Sequence, residues 1–237
     1  VQSSSYPTVL FNAMVKPWTA FPIKGVIWYQ GEANVGRSEQ YGDLFPALIT
    51  DWRRQWRSDF PFYFVQLANF MESKKIQPDS EWAALREAQT KALKLDQVGM
   101  AVTIDIGLAD DIHPKNKQEV GRRLALVALA GSYGKNVSGS APVFRNYRIK
   151  GDKMELDFGQ KQDGFQIKGT TLKGFTIAGP DRVFYPAEAM VHDGKIILSS
   201  TEVPAPLAAR YGWADNPDCN LYGENGLPVA PFRTDCW

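Results

Sequence analysis

Gly25-Val-Ile-Trp-Tyr-Gln-Gly-Glu-Ala-Asn34 is the stretch that decides the fold, because an apolar run changes there abruptly into polar residues. Residues 25–30 are apolar at nearly every position, which is typical of a strand buried on both faces of a parallel sheet. Sites in such sheets gather at the carboxyl ends of the strands. The polar residues that follow the run therefore mark a place to look for chemistry.

Strands and helices alternate after this stretch. Residues 39–56 carry apolar side chains at spacings of three and four and predict a helix, which Pro46 either kinks or begins. The same patterns predict strands at 62–67 and 100–105 and helices at 81–95 and 117–129. Residues 1–135 are therefore expected to form a parallel sheet with helices on both faces.

The pattern of apolar and polar residues changes near residue 140. Short apolar segments alternate there with turn signals such as Lys150-Gly-Asp152 and His192-Asp-Gly194. This pattern predicts an antiparallel β-rich accessory unit over residues 136–204. Residues 205–237 form a tail that we expect to pack back on the first unit.

The predicted parallel sheet lacks a partner on one side. The strand at 25–30 should have a neighbour on each side, yet the chain offers only two further parallel strands, both after it. A sheet that began with such a strand would expose a hydrophobic edge. We therefore expect at least one strand to come from elsewhere, either from an upstream segment of the same precursor or from a separate chain.

Composition narrows the classes of partner. The 27 basic and 26 acidic residues give a net charge of +1 without a one-sided run, so neither nucleic acid nor an anionic membrane is expected as a partner. No apolar run approaches the roughly 20 residues that span a bilayer. Cys219 and Cys236 do not have the spacing of a zinc site. The sequence is compatible both with a disulfide between them and with two free thiols.

His113 is the first candidate for chemistry. It lies in Asp110-Asp-Ile-His-Pro114, between the third predicted strand and the third predicted helix. A carboxylate shortly before a histidine can hold the imidazole as a general base, the arrangement that activates a serine. The ordinary alternative is a surface histidine near a helix start. His192, the other histidine, is expected to be a turn residue.

A second group of candidates follows the first strand. Gln30, Gly31, Glu32 and Asn34 bring a side-chain amide and a glycine N–H to the end of that strand, and such groups can donate hydrogen bonds to an oxyanion. The alternative is an ordinary polar transition from strand to loop.

These blocks resemble those of one family. Residues 25–34 closely resemble the Gly-Val-Ile-Trp-Tyr-Gln-Gly-Glu-x-Asn block of the sialate O-acetylesterases, within the SGNH hydrolase superfamily, and residues 110–118 resemble their Asp-Ile-His-Pro block. Arg210-Tyr-Gly-Trp-Ala-Asp-Asn-Pro217 and Gly226-Leu-Pro-Val-Ala-Pro-Phe-Arg233 are similar to the family's tail. The resemblance covers roughly residues 6–135 and 205–237.

The resemblance implies a flavodoxin-like three-layer α/β/α fold and a Ser-His-Asp esterase that acts on O-acetylated sugars without metal or cofactor. His113 would be the general base. Asp110 fits the superfamily's Asp-x-x-His spacing and is favoured as its orienting carboxylate, with Asp111 as the alternate. Gln30 would help to form the oxyanion hole, while Glu32 and Asn34 would order the loop. A secreted or periplasmic location is implied as well.

One part of the family pattern is missing. The nucleophile of the family lies in a Gly-x-Ser-Asn block upstream of everything here, and this chain contains no such block. The serines at 3–5, 132, 138 and 140 lie in the wrong contexts. The serine, like the missing strand, is therefore expected on an N-terminal segment or a companion chain. The alternative functions are an acetylesterase for acetylxylan or another polysaccharide, and a non-catalytic carbohydrate-binding fragment.

Overall fold

A parallel sheet organises the first part of the molecule. The structure is a computed structural model that describes residues 6–159 and 164–237, so Ser3, Ser4 and Ser5 lie outside the described residues. Strands β1 (Val26–Trp28), β2 (Phe62–Val65) and β3 (Val98–Ala101) are all parallel, in the order β1-β2-β3.

Helices cover both faces of this sheet. They are α1 (Ser38–Trp56), α2 (Glu81–Thr90) and α3 (Lys117–Gly131). Phe62 and Phe64 of β2 pack in one core with α1 and α2, whereas Tyr63 and Val65 pack in another with α3. Alternate residues of a strand point to opposite faces, so the buried strand β2 contributes side chains to two cores. The predicted α/β/α layering is confirmed.

Local chemistry sets the ends of these helices. The Ser80 hydroxyl accepts a hydrogen bond from the Ala83 N–H at 3.0 Å and caps α2, and the Asn116 side chain accepts one from Glu119 N–H at 3.1 Å and caps α3. Helix α1 runs through Pro46 rather than beginning there. Single-turn helical segments lie at Phe11–Val15, Lys16–Trp18, Glu32–Asn34 and Lys91–Lys94.

Strand β1 lies at the edge of the sheet. Within the described residues it pairs only with β2, and Ile27 at its centre is 71% exposed. Val26 and Trp28 contact the core under α1, but α3 packs over β2 and β3 and leaves Ile27 uncovered. The expectation that this strand is buried on both faces is therefore wrong for the described chain, since one face and one edge are open.

The β-rich unit is a sandwich of two antiparallel sheets. One has the order β4-β5-β10-β9 and the other β13-β11-β7-β8, while β12 pairs with β6. A shared core lies between them, formed by residues such as Leu156, Ile177 and Leu198. The strands are β4 (Asn146–Lys150), β5 (Lys153–Asp157), β6 (Phe165–Ile167), β7 (Phe175–Ala178), β8 (Phe184–Pro186), β9 (Glu188–His192), β10 (Lys195–Ser199), β11 (Ala208–Tyr211), β12 (Leu221–Gly223) and β13 (Phe232–Arg233).

The tail belongs to both units. Strand β11 lies between β7 and β13 in the sandwich, so residues 205–237 complete its sheets. The same tail contacts the α/β unit, because Arg210 donates to the Pro78 carbonyl at 2.8 Å and Arg233 forms an ion pair with Glu87 at 2.9 Å. The division of the chain at residue 204 stays a prediction. The tail contacts both the sandwich and the α/β unit.

Helix α3 is fixed by a cluster of charges. Arg123 forms a buried ion pair with Asp105 at 2.6 Å, and the Tyr222 hydroxyl donates to the same carboxylate at 3.0 Å. Hydrogen bonds from Arg122, and then from Arg123, lower the pKa of Glu119 from 4.5 to about 2. A depressed carboxyl pKa stabilises the fold above pH 4.5, and this stabilisation is lost as the pH falls towards 2.

We expect Glu119→Gln to lower the free energy of unfolding by about 1 kcal/mol at pH 7, a value reduced for solvent screening of a partly exposed ion pair. The difference from the parent chain should shrink steadily between pH 4.5 and pH 2. Urea unfolding over this range measures it. Glu202→Gln, at an exposed turn position, is the control. A difference that does not change with pH would contradict the assignment.

The remaining sequence expectations concern cysteines, membranes and metals. Cys219 and Cys236 are both free thiols, and burial raises the pKa of Cys219 to about 12. Over residues 6–159 and 164–237, none of the helices combines the length and hydrophobicity needed to cross a membrane. The same residues contain no cluster of three or more His, Cys, Asp or Glu side chains that could hold a metal ion.

Candidate active site

The loops after the three parallel strands meet at one edge of the sheet. The segments after β2 and β3 are joined directly, because the Met71 N–H donates to the Ala109 carbonyl at 3.1 Å and the Gly107 N–H to Asn69 Oδ1 at 2.7 Å. The loop after β1 is joined to α3, where the Lys117 ammonium lies 4.7 Å from the centre of the Tyr29 ring. The geometry brings the two groups of predicted site residues to the same edge.

The side chain of Gln30 is held at both ends. Its Nε2 donates to Asn34 Oδ1 at 2.7 Å, and the Tyr41 hydroxyl donates to its Oε1 at 3.2 Å. A primary amide carries two N–H donors, so one remains available after the bond to Asn34. Gln30 can therefore offer a fixed donor to a ligand.

Gly31 occupies a position that requires glycine. Its φ of 151° disfavours a side chain, and a Cβ there would lie 3.2 Å from Gln89 Nε2 and 3.4 Å from Leu67 Cδ2. Among the hydrogen bonds of the described residues, its N–H has no acceptor. The pair formed by this N–H and the remaining N–H of Gln30 suits an oxyanion.

Glu32 and Asn34 belong to the turn Glu32–Asn34. The Asn34 N–H closes that turn on the Gly31 carbonyl at 2.8 Å. Burial, with a smaller effect of the Glu32 charge, raises the pKa of Tyr29 to about 12 and also raises the pKa of Tyr41. The Tyr41 hydroxyl therefore stays protonated and keeps its bond to Gln30. In this loop, Asn34 accepts a hydrogen bond from the Gln30 side chain, and the charge of Glu32 contributes to the raised pKa values of the two tyrosines.

His113 lies on the loop before α3 with an 88% exposed side chain. Its Nδ1 is 3.6 Å from Asp111 Oδ1, and its backbone N–H donates to that same oxygen at 2.9 Å. Asp110 is exposed, and across the described ranges it makes no ion pair with His113. The Nδ1 distance exceeds that of a formed hydrogen bond, as is common in unliganded sites. The structure thus places Asp111 beside the imidazole.

His192 is the last residue of β9 and pairs with Lys195 of β10. Asp193 and Gly194, which follow it and form the turn, have positive φ values of 48° and 70°. His192 therefore adjoins the turn but belongs to a strand, so the prediction of a turn residue is wrong by one position.

Several buried polar residues that the sequence did not single out support the site. Gln89 Nε2 donates to the Gln30 carbonyl at 3.3 Å, and Gln89 Oε1 accepts from the Leu67 N–H at 2.9 Å, so this side chain connects β2 to the Gln30 loop. One signal could have revealed it: Arg86 and Gln89 lie three residues apart among the apolar residues of α2, where a solvated face would not place them.

Arg86 joins the end of β2 to the tail. It is fully buried and donates to the carbonyls of Leu67 at 2.9 Å and of Ala68, Ala214 and Asp215 at 2.8 Å each. Burial lowers its pKa to about 9, so it stays charged at pH 7. The Asp215 carboxylate in turn accepts hydrogen bonds from the Ser80 hydroxyl and the Gln77 amide.

Known proteins share this architecture and these blocks. Residues 2–130 match the family described as carbohydrate esterase, sialic acid-specific acetylesterase. The chain is 32% identical to the sialate O-acetylesterases of Mus musculus and Homo sapiens, over 95% and 98% of its own length and 47% and 50% of theirs. It thus spans about half the length of the curated relatives it matches.

A solved structure gives the same result. The crystal structure of a carbohydrate acetylesterase from Xanthomonas citri superposes with a TM-score of 0.92 at 46% sequence identity, covering 98% of this chain and 55% of that one. The agreement extends over the β-sandwich and the tail as well as the α/β unit. On its sequence and its fold, this chain belongs to the sialic acid-specific acetylesterase family of carbohydrate esterases.

Proposed function

We propose that this chain forms part of a carbohydrate O-acetylesterase of the sialate 9-O-acetylesterase type, which releases acetate by a Ser-His-Asp mechanism. The observation that carries the proposal is the shared position of two groups at one sheet edge. Gln30 and Gly31 present two N–H donors there, and His113 with Asp111 forms the other group. An ester hydrolase needs this combination of an oxyanion site and a base.

The mechanism follows from these groups. His113 accepts the proton of a serine hydroxyl while the serine oxygen attacks the acetyl carbonyl, and the N–H groups of Gln30 and Gly31 bind the oxyanion. The imidazolium then gives its proton to the sugar oxygen, and the C–O bond to the sugar breaks. His113 next removes a proton from water, which attacks the acetyl-serine, and acetate leaves as the serine regains its proton.

The serine is part of the proposal rather than of this chain. We place it on an N-terminal segment or a companion chain that adds a strand beside β1. The open edge of β1, the exposed Ile27 and the exposed side chain of His113 support this placement, since an added strand and its following loop would cover all three.

The orienting carboxylate is proposed to be Asp111. Its distance of 3.6 Å from Nδ1 supports this choice over Asp110, which the sequence spacing favours. A small rotation of the exposed imidazole would bring Nδ1 into hydrogen-bond distance of Asp111 Oδ1. That oxygen already accepts a hydrogen bond from the backbone N–H of His113. In that position Asp111 would fix the tautomer in which Nε2 is free to accept the serine proton.

Labelling with a fluorophosphonate tests the origin of the serine. We expect the native protein to gain the mass of the probe on a peptide outside residues 1–237, as read by intact-mass and peptide analysis. Prior incubation with an acetylated sugar should slow the labelling. A label on a serine of this chain would contradict the placement. If the protein neither reacts nor releases acetate, the result favours the alternative of a non-catalytic carbohydrate-binding fragment.

A second experiment distinguishes the proposed substrate from the alternative polysaccharide. It compares acetate release from 9-O-acetyl sialate with acetate release from acetylxylan under the same conditions.

We also propose an extracytoplasmic location, secreted or periplasmic, on the family resemblance. The free thiols of Cys219 and Cys236 provide no disulfide in its support.

A further inference from the structure

A cleft of about 450 Å³ lies where the α/β unit meets the sandwich. We call it the junction cleft. Its walls are the segment 73–78 after β2, residues 172–176 and 184–187 around β7 and β8, and tail residues between 210 and 218. None of the predicted site residues lines it. Its volume is within the range of small-molecule sites and suits one or two sugar rings.

The charge of the junction cleft is unbalanced. Lys74, Lys75 and Lys173 line it, but Asp218 is the only carboxylate among its lining residues, and it pairs with Lys173 at 2.9 Å. Over the part of the chain that the structure describes, Lys74 and Lys75 have no carboxylate within ion-pair distance. The cleft therefore has two uncompensated positive charges on one wall.

Arg210 does not add to this charge. Its guanidinium pairs with the buried Asp235 carboxylate at 2.6 Å and lies 4.0 Å from the centre of the Phe184 ring. It lines the cleft, but the Asp235 carboxylate balances its charge, so its role there is structural. The charge available to a ligand is therefore that of Lys74 and Lys75.

Apolar side chains also line the cleft. The indole N–H of Trp213 donates to the Pro78 carbonyl at 3.0 Å, and the guanidinium groups of Arg210 and Arg233 lie 5.0 Å and 4.9 Å from the centre of its ring. Leu172 and Pro186 add apolar surface to the lining. Sugar rings present C–H groups that pack on such surfaces, while their charged substituents require cations. A cleft that combines apolar side chains with two free ammonium groups matches a sugar that carries a negative charge.

A short connection joins the junction cleft to the candidate active site. The cleft segment begins at Ser73, two residues after Met71. Met71 donates to the Ala109 carbonyl at 3.1 Å, four residues before His113, and its own carbonyl accepts from Asn216 at 2.7 Å. Met71 therefore links the segment that lines the cleft to the loop that carries His113.

We propose that the junction cleft binds a carboxylate-bearing sugar residue, such as a uronate, that neighbours the acetylated residue in an oligosaccharide. The position of this residue within an esterase substrate rests on the proposed function, but binding in the cleft does not. Lys74 and Lys75 would pair with the carboxylate, and the apolar side chains of Leu172 and Pro186 would pack against the ring.

Calorimetric titration of the chain with tetragalacturonate and with xylotetraose tests the cleft without any hydrolysis, because neither sugar is acetylated. We expect tetragalacturonate to bind, xylotetraose to bind more weakly, and added salt to reduce the difference. The double variant Lys74→Gln/Lys75→Gln should weaken tetragalacturonate binding about ten-fold, the loss of roughly 1.4 kcal/mol expected for two charge-assisted contacts. Lys24→Gln/Lys94→Gln removes two exposed lysines outside the cleft and is the matched control.

Three outcomes would overturn the proposal. These are equal affinity for the two sugars, equal weakening by the cleft and control variants, and complete competition by inorganic phosphate at similar concentration. The last would show general anion binding rather than recognition of a sugar. Acetate release by the complete esterase is a separate measurement, so its absence would contradict the proposed function and leave the binding result standing.

Discussion

Replacement of His113 by alanine should lower kcat for acetate release by at least about 10³-fold in the complete esterase, with little change in KM. Without the imidazole, no group on this loop can take the serine proton or return it to the sugar oxygen. The fold should be unaffected, because the side chain is 88% exposed. Acetate release and circular dichroism of the same preparations measure the two effects.

The chain contains a matched control for this variant. His192 also lies beside a carboxylate, with its Nε2 3.4 Å from Asp193 Oδ2, and its side chain is 71% exposed. His192→Ala removes the same group from the end of β9 in the sandwich and should leave turnover unchanged. Near-normal turnover of His113→Ala, or equal losses in the two variants, would exclude His113 as the general base.

Replacement of Arg86 by methionine should lower the free energy of unfolding by about 3–5 kcal/mol, the range typical of a broken buried charged network. Methionine fills a similar volume but donates no hydrogen bond, so four carbonyl groups lose a donor. The loss is measured by urea unfolding at pH 7, where Arg86 is charged.

Arg54→Met is the matched control for Arg86→Met. Arg54 lies on α1 with a 77% exposed side chain, and Asp51 is its one ion-pair partner among the described residues, so its loss should cost less than about 1 kcal/mol. If both variants lost similar small amounts of stability, the network around Arg86 would not hold the end of β2 to the tail.

The sequence predicted the parts of the fold that local patterns determine. Helices α1 and α3 have strong apolar periodicity and lie within two residues of their predicted bounds. Strand β3 was placed too late, at 100–105 instead of Val98–Ala101, because the apolar residues continue beyond the point where pairing with β2 ends. Asp105 lies in the turn that follows, where it pairs with Arg123.

Long-range contacts account for what the sequence could not show. Strand β11 contains Arg210 and has no alternating pattern. The burial of Arg210 depends on distant partners, the Asp235 carboxylate and the Pro78 carbonyl. The acceptors of Arg86 are backbone carbonyls, and these cannot be predicted from a pattern of side chains. Likewise, the residue types at Asp110 and Asp111 are identical, and only the path of the loop brings Asp111 closer to His113.

The network around Arg86 also bears on the order in which the molecule can be assembled during synthesis. Two of its acceptors, Ala214 and Asp215, follow it by 128 and 129 residues. During synthesis, the loop after β2 at the candidate active site therefore cannot reach its final form until residues 214 and 215 have left the ribosome. Since contacts of such sequence separation form late, the active-site edge should mature last, after the local helices and hairpins.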